Sequence, residues 1–185
     1  NYSFSIGTTA GGDDVIAWTK SDSNSILFDL SMLNESETYI SNARVTDIVG
    51  FTSSASSDSF RMDLTPPLQG TLSIGDLYQS DTANVTFTWA GFVDEHSGIG
   101  DYHYSLGTQP GFDDVLPRTP LGLNADFASL AITISGLSLQ VNQTYYGTVY
   151  AIDKVANETF AVSDGLTIDR DGPESGTIFD GVIAD

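Results

Sequence analysis

The sequence predicts an all-β chain of tandem seven-stranded antiparallel β-sandwiches, and three observations support this fold class. Of the 25 acidic residues, 20 are Asp, which favours turns and is a poor helix-interior residue. Short segments alternate apolar and polar residues, as half-buried strands do. The third observation is an internal repeat with a period of about 106 residues, the length of one small domain.

The repeat consists of three segments that recur in the same order. The pairs are 2–15 (YSFSIGTTAGGDDV) with 102–115 (YHYSLGTQPGFDDV), 38–47 (TYISNARVTD) with 144–153 (TYYGTVYAID), and 63–72 (DLTPPLQGTL) with 169–178 (DRDGPESGTI). The offset is 100 in the first pair and 106 in the other two, so the second copy carries an insertion between Thr119 and Thr144. Chance similarity explains such an ordered series poorly.

Pro-containing stretches at 65–67 and 171–173 divide the chain into three pieces. We expect 1–65 to be the C-terminal part of a first module, 66–172 a complete module and 173–185 the first strand of a following module. The first piece has no counterpart of residues 76–101. Because an incomplete sandwich exposes apolar faces and unpaired edges, we expect either a window from a longer tandem array or a chain whose gap a neighbour fills.

Seven strands are predicted in the complete module from period-2 alternation. In the second of them, Val85, Phe87 and Trp89 alternate with threonines. The predicted strands are 70–77, 84–92, 101–107, a short one near 114–117, 127–135, 144–153 and 159–168. Seven short strands separated by turns describe a two-sheet sandwich.

The residues of this module resemble the fibronectin type III and immunoglobulin-like superfamily. Trp89, an acidic turn and SGIGDYHYSLG are similar to that family's Trp, loop and Tyr-containing strand. SGLSLQVNQTYYGTVYAID resembles its Leu, short turn and Tyr-led strand, which places Leu137 or Leu139 and Tyr145 at those positions, and Tyr39 in the first piece. The resemblance implies a sandwich fold but leaves the function open, because this fold hosts unrelated functions.

A narrower resemblance concerns the string WAGFVDEHSGIGDYHYSLGTQPGFDDV at 89–115. It is similar to repeats of very large extracellular proteins of algae, protists and invertebrates, some of which build cell-surface coats or flagellar hairs. This resemblance implies a structural role outside the cell.

The charge excludes two classes of partner. The formal net charge is −19, and the six basic residues are scattered at positions 20, 44, 61, 118, 154 and 170. Nucleic acids and anionic membrane surfaces both require a basic patch, so we expect neither as a partner. No apolar run reaches the roughly 18 residues of a membrane span, so no membrane insertion is expected in this segment. The chain has no cysteine, which excludes disulfides and thiolate sites.

Glycosylation sequons are the most informative functional signal. Five of the eight asparagines begin N-x-S/T, whereas the Ser and Thr content predicts about two. Apart from Asn1, these asparagines lie in predicted turns or at strand starts, and they are Asn34, Asn84, Asn142 and Asn157. The sequence therefore predicts N-glycans in a secreted protein. The alternative is a turn composition that happens to be rich in Ser and Thr.

Calcium at the module junctions is the second prediction, since hard cations bind several oxygen ligands. The candidate ligands are Asp63, Asp153, Asp169 and Asp171. Asp94 and Glu95 also lie in an acidic turn, and Asp47 ends a strand as Asp153 does. The alternative is that these residues form turns and contribute solubilising charge.

No catalytic residues are predicted, and we expect no enzyme. His96 and His103 fit no metal-binding spacing, and the HSGIG sequence at 96–100 lacks the first glycine of a nucleophile elbow. Exposed aromatics such as Tyr78 or Phe112 could form a sugar-stacking platform, but core packing explains the aromatic content as well.

Together these observations predict a non-catalytic structural repeat segment of a large extracellular or cell-surface glycoprotein, with filament or coat formation as one form of that role. The alternative is an adhesin or a carbohydrate-binding accessory module of a surface protein. The expected partners are neighbouring modules of the same chain, other copies in an assembly, or glycans. In a variant of the structural prediction, the tail 173–185 completes a sandwich in another chain by strand addition.

Overall fold

The computed structural model describes residues 1–122 and 129–176, which divide into two compact units, Asn1–Thr65 (unit 1) and Pro66–Asp185 (unit 2). Strands are the regular elements of the described residues. The strands of unit 1 are β1 (Tyr2–Gly7), β2 (Ile16–Ser21), β3 (Tyr39–Thr46) and β4 (Thr52–Phe60). Those of unit 2 are β5 (Thr71–Ser73), β6 (Tyr78–Gln79), β7 (Val85–Ala90), β8 (Ile99–Gly107), β9 (Leu116–Pro120), β10 (Ser129–Ile134), β11 (Thr144–Asp153), β12 (Glu158–Val162) and β13 (Leu166–Ile168).

Unit 2 consists of two facing sheets. One has the order β10-β7-β5, and the other has the order β6-β13-β11-β8-β9 with β12 also paired to β11. All pairs are antiparallel except β6 with β13. A single apolar cluster joins the sheets: Phe87 and Trp89 of β7 pack against Tyr102 and Tyr104 of β8. Alternation along each strand directs these side chains inward, as the period-2 pattern predicted.

The all-β fold class is confirmed, but two predicted strands differ from the structure. The segment 70–77 is a strand only at Thr71–Ser73; the chain then turns at Gly75, whose φ is +107°, and β6 begins beyond the segment and joins the other sheet. The segment 159–168 breaks at 163–165, where the Ser163 N–H bonds to the Gly147 carbonyl and the Ser163 hydroxyl accepts from the Gly147 N–H. The short strand expected near 114–117 lies at Leu116–Pro120.

Two predicted segments extend beyond the described residues. Residues 127 and 128 of the predicted strand 127–135 lie outside them, and the rest corresponds to β10. The tail 173–185 is described as far as residue 176, and 173–176 form no strand. Residues 177–185 lie outside the described part of the chain.

Unit 1 forms one four-stranded sheet, β2-β1-β3-β4, with a small apolar cluster on one face. Ile6, Leu33 and Tyr39 are buried there, with Phe28 and Phe60 packed around them. These strands correspond to β9, β8, β11 and β12 of unit 2. Unit 1 thus contains the counterpart of one sheet of the sandwich.

The sequence repeat is preserved down to individual hydrogen bonds. In unit 1, Thr8 donates from its N–H and its hydroxyl to the Asp14 carboxylate at 3.0 and 2.7 Å. In unit 2, Thr108 donates to Asp114 in the same way at 2.9 and 2.8 Å. In each pair of adjacent aspartates, at 13–14 and at 113–114, the second carboxylate therefore closes the loop.

A tyrosine corner is present in both units. The Asn34 N–H donates to the Tyr39 hydroxyl at 2.8 Å, and the Gln140 N–H donates to the Tyr145 hydroxyl at 2.7 Å. Each hydroxyl satisfies a backbone donor in the turn before its strand, which is how this motif fixes the chain in immunoglobulin-like sandwiches. Leu139 is buried beside this corner, whereas Leu137 is partly buried.

Candidate functional site

The four predicted sequons fall into two groups by exposure. Asn34 and Asn142 are exposed, Asn34 in the turn before β3 and Asn142 in the turn before β11. Asn84 and Asn157 are half-buried, and in each the amide nitrogen that would carry a glycan donates to a carboxylate. These bonds run from Asn84 to Asp81 at 2.8 Å and from Asn157 to Asp153 at 2.7 Å. Access for a glycan therefore favours the first group.

Asn142 also has a conformational reason to be asparagine. Its φ is +62°, in the left-handed region where Asn is favoured among residues with a Cβ. Its N–H donates to the Ile168 carbonyl at 2.7 Å, which ties this turn to the end of β13. The side chain is exposed, so the structural role of the backbone and a glycan on the amide are compatible.

Asp153 organises the turn between β11 and β12. The carboxylate is 3% exposed, and Oδ1 accepts from the N–H groups of Val155 and Asn157 at 2.8 and 2.9 Å. Asp47 accepts from Val49 and Phe51 in the same way in unit 1. The repeat thus explains Asp47 and Asp153 as turn-forming residues.

A second carboxylate lies close to Asp153 in unit 2. Asp94, in the loop between β7 and β8, accepts from the N–H groups of His96 and Gly98 at 3.1 and 2.7 Å. The Lys154 N–H donates to the Gly98 carbonyl at 3.1 Å and holds this loop against the β11–β12 turn. Carboxylate oxygens of Asp94 and Asp153 lie within 4.8 Å of each other. At that distance two like charges repel, and a cation between them would be stabilised.

Two of the other predicted calcium ligands, Asp169 and Asp171, lie away from this pair. Asp169 follows β13 and accepts from the Asp171 N–H at 2.9 Å. β13 pairs with the first residues of β11, whereas Asp153 is the last residue of that ten-residue strand. A strand of this length spans about 30 Å, so Asp169 and Asp171 cannot share an ion with Asp153. Asp63, in unit 1, accepts from the Thr65 N–H at 3.2 Å, the counterpart of the Asp169 turn.

Hydrogen bonds shift the pKa of several carboxyls and mark their structural use. The Thr8 and Thr108 donors hold the pKa of Asp14 and Asp114 below the ordinary value. Asn84 lowers the pKa of Asp81 in the same way. A lowered pKa means that the folded state stabilises the ionised carboxylate. The resulting contribution to the free energy of unfolding is lost as the pH falls through the folded-state pKa.

His103 belongs to a surface network. Its Nδ1 accepts from the Arg118 Nε at 3.0 Å, and its Nε2 lies 3.4 Å from an Asp101 oxygen. Arg118 continues to Glu158 at 2.7 Å, and this bond lowers the pKa of the Glu158 carboxyl. Both imidazole nitrogens are thus engaged with charged side chains, which leaves the ring badly placed to accept a proton from a substrate.

The Arg118 guanidinium also stacks on Tyr150, and unit 1 contains the same contact with the roles exchanged. Arg118 lies 4.0 Å from the centre of the Tyr150 ring. In unit 1 the aromatic residue is on the β2 side, and Arg44 lies 4.3 Å from the Trp18 ring. Trp18 aligns with Arg118 and Arg44 with Tyr150, at offsets of 100 and 106. The exchange of arginine and aromatic residue is visible in the aligned sequences, but sequence reasoning missed it.

The two exposed aromatics considered as a sugar platform do not lie together. Tyr78 is on the edge strand β6, and Phe112 is in the β8–β9 loop. Strands β13 and β11 separate β6 from β8 in the sheet order. At about 4.8 Å per strand spacing, this separation prevents the two rings from stacking on one sugar.

Comparison with models of known protein families and with curated proteins gives no match. Among solved structures, a myokine structure aligns at 16% identity and a TM-score of 0.33, covering 57% of this chain and 98% of that one. The chicken CNTN1 FN1–FN3 domains align at 13% identity and a TM-score of 0.41 over 89% of this chain. The alignment covers 52% of that chain.

The strand order of unit 2 itself defines the fold class. Three strands, β5, β7 and β10, face the sheet of β9, β8, β11 and the broken last strand, and a tyrosine corner precedes β11. This is the arrangement of fibronectin type III and immunoglobulin-like sandwiches. In the part of the chain that the structure describes, no helix is long and apolar enough to cross a membrane.

Proposed function

We propose that this chain is a non-catalytic structural segment of a large extracellular or cell-surface glycoprotein, in which fibronectin III-like modules act as repeated building elements. The observation that carries the proposal is the reuse of one frame in two units: the Thr–Asp loop, the Asp turn after the long strand and the tyrosine corner all recur. The residues kept between the copies are those that fix loops and strands, and this is what a spacing or stiffening module needs.

The charge supports an extracellular array. Much of the −19 comes from aspartates that occupy turns, so the acidic surface follows from a turn-rich sandwich and keeps neighbouring chains apart at low salt. The exposed sequons at Asn34 and Asn142 support secretion, because glycan transfer takes place on such turns in the secretory pathway. The partners proposed are neighbouring modules of the same protein or other copies in an assembly.

The first prediction concerns glycan occupancy in protein isolated from its native source. We expect glycans at Asn34 and Asn142 and none at Asn84 and Asn157, whose amides are tied to Asp81 and Asp153. Peptide mapping after glycosidase treatment in heavy-oxygen water measures each site as an Asn-to-Asp mass shift. Untreated protein is the control for spontaneous deamidation. Four unoccupied sites would remove the glycoprotein part of the proposal, and occupancy at Asn84 or Asn157 would contradict the role of exposure.

We further propose calcium as a ligand of the acidic turns. The pair Asp94 and Asp153 supports it, since their carboxylates lie within 4.8 Å in one unit and each is held in place by backbone donors. Calcium accepts carboxylate and carbonyl oxygens and often binds extracellular modules weakly. Asp63 remains a candidate ligand, and Asp169 and Asp171 remain candidates for a separate site.

The second prediction tests calcium at the Asp94–Asp153 pair by thermal melting. In the Trp18→Phe background, Trp89 is the remaining tryptophan and reports unit 2. At calcium tenfold above its dissociation constant, binding adds about 1.4 kcal/mol, and the melting temperature should rise by about 5 °C relative to EGTA. Asp94→Asn keeps the oxygen that accepts from Gly98 but removes the charge, so it should abolish the rise. Asp164→Asn, an exposed position in the same unit, is the matched control. A rise that survives Asp94→Asn would place calcium elsewhere.

A further inference from the structure

One face of the unit 1 sheet is apolar, uncharged and only partly covered. The register places Tyr2 beside Val45, Phe4 beside Ala43 and Ile6 beside Ser41, and then Val45 beside Ser53 and Ala43 beside Ala55. Cross-strand partners lie on the same face of a sheet. None of these residues is Asp, Glu, Lys or Arg, in a chain whose net charge is −19. We call these eight residues the open face.

At the end of the face that contains Tyr2 and Val45, the equivalent residues of unit 2 are buried beneath a second sheet. Tyr102 and Ala151 are 1% and 0% exposed, whereas their counterparts Tyr2 and Val45 are 39% and 42% exposed. In unit 2 the covering side chains come from β7 and the residues next to β5: Trp89 lies 5.5 Å from Tyr102 and Phe87 lies 6.1 Å from Tyr104, measured between ring centres. In unit 2 the layer that covers the equivalent face is therefore formed by β5 and β7.

Residues 23–28 of unit 1 have the residue pattern of a strand but are unpaired. In unit 2, β10 pairs antiparallel with β7, from Ser129 opposite Ala90 to Ile134 opposite Val85. The offset of 106 places residues 23–28 of unit 1 at the same positions. These residues belong to no strand, although Ile26 and Phe28 are half-buried and Leu27 between them is 96% exposed. The alternation of a strand is present, and the strand that would pair with it is not part of unit 1.

We propose that the open face docks a two-stranded β-layer with the residue pattern of 70–92, whose second strand pairs antiparallel with residues 23–28. The partner is thus an extended segment with apolar residues at alternate positions, which adds main-chain hydrogen bonds along the edge and buries side chains on the open face. The absence of charge on the face favours an apolar layer over an acidic or basic ligand. This docking does not depend on glycosylation or calcium, so it can fail while the proposed function stands.

The open face also sets a size limit on one position of the partner. In unit 2, β7 approaches Gly147 so closely that a Cβ there would lie 2.6 Å from the Ile74 Cγ2 and 2.8 Å from the Phe87 Cζ. The counterpart of Gly147 in unit 1 is Ser41, which carries a side chain. A layer identical to that of unit 2 would collide with it. The docked layer should therefore carry smaller residues at the positions of both Ile74 and Phe87.

The test is a fusion that supplies such a layer to the complete chain. A copy of residues 66–100 is joined ahead of Asn1, which reproduces the connection between residues 100 and 101. In this copy the position of Ile74 carries Ala and the position of Phe87 carries Leu. Hydrogen exchange of the amides of residues 23–28 is then compared with that in the unfused chain. We expect exchange to slow by about tenfold or more, as these amides enter a ladder.

Two matched variants make the result specific. A fusion whose copy has Ser at the positions of Val85, Phe87 and Trp89 should leave exchange at 23–28 unchanged. A fusion that keeps Phe should protect these amides less than the Leu version, and Ser41→Gly in unit 1 should restore the protection. Amides of β3 in unit 1 and of β11 in unit 2 report in every case that both units are folded. Unchanged exchange in the Leu fusion, with β3 and β11 protected, would overturn the proposal.

Sedimentation of the unfused chain distinguishes a second copy from a strand layer. If the chain dimerises and Val45→Lys dissociates the dimer, the open face pairs with itself and the proposal is wrong. A chain that stays monomeric with and without Val45→Lys agrees with the proposal.

Discussion

Trp89→Ala is expected to unfold most of unit 2 while leaving unit 1 intact. Trp89 is 2% exposed and packs against Tyr102, the residue that also contacts Phe92. Truncating a buried Trp to Ala costs about 3–5 kcal/mol, the sum of lost apolar burial and the cavity that remains. Because a domain has only about 5–15 kcal/mol of stability in total, this loss removes a large part of it and should bring most of unit 2 below its folding threshold at physiological temperature.

The measurement uses the distribution of the two tryptophans, one in each unit. In Trp89→Ala the remaining fluorescence comes from Trp18 and reports unit 1, while backbone amide spectra report unit 2. The matched control is Trp18→Ala: Trp18 is half-buried and stacks on Arg44, so its loss should cost much less. Trp89→Phe keeps an aromatic ring in the core, and should retain most of the stability that Ala loses. A Trp89→Ala chain whose unit 2 melts as the unchanged chain does would contradict the assignment of Trp89 to the core.

The strands of unit 2 could be predicted because their alternation agrees with their burial. Val85, Phe87 and Trp89 are all buried, and the predicted segment 144–153 coincides with β11. The interruption between β12 and β13 could not be predicted from alternation, since it depends on a contact distant in sequence: Ser163 bonds to Gly147. Such a contact is visible only once the strands are paired.

The repeat predicted more of the site than any motif did. It paired the segments that contain the Thr–Asp loops and placed Tyr39 and Tyr145 at equivalent positions, because both copies retained these residues. That the first piece lacks the front strands of a module stays a prediction of the repeat.

Burial of single side chains was not predictable from the sequence. The sequon pattern treats Asn34 and Asn157 alike, yet Asn157 bonds to the buried Asp153 and Asn34 lies exposed. The approach of Asp94 to Asp153 depends on the pairing of β11 with β8, which brings two loops far apart in sequence to one end of the sheet. Sequence reasoning placed Asp94 in an acidic turn but gave it no partner.

Gly107→Ala is expected to lower the free energy of unfolding of unit 2 by about 3 kcal/mol, the upper end of the usual cost of overpacking. A Cβ at this position would lie 2.3 Å from the Phe112 carbonyl oxygen and 2.5 Å from its carbonyl carbon. These are backbone atoms of the β8–β9 loop, so the overlap cannot be relieved by rotating a side chain. The loop would have to move, and with it the Thr108–Asp114 hydrogen bonds that close it.

The control for Gly107→Ala separates space from backbone conformation. Gly111 in the same loop has a φ of +79° and open space around its Cβ position, so Gly111→Asn should cost well under half as much, because Asn tolerates this conformation. Gly7 is the counterpart of Gly107 in unit 1, where a Cβ would lie 2.6 Å from the Gly12 carbonyl carbon. Gly7→Ala should therefore destabilise unit 1 and leave the unit 2 transition in place. Urea unfolding followed by the tryptophan of each unit measures all three. Equal losses for Gly107→Ala and Gly111→Asn would show that backbone conformation, rather than the close approach of the loop, requires glycine in this hairpin.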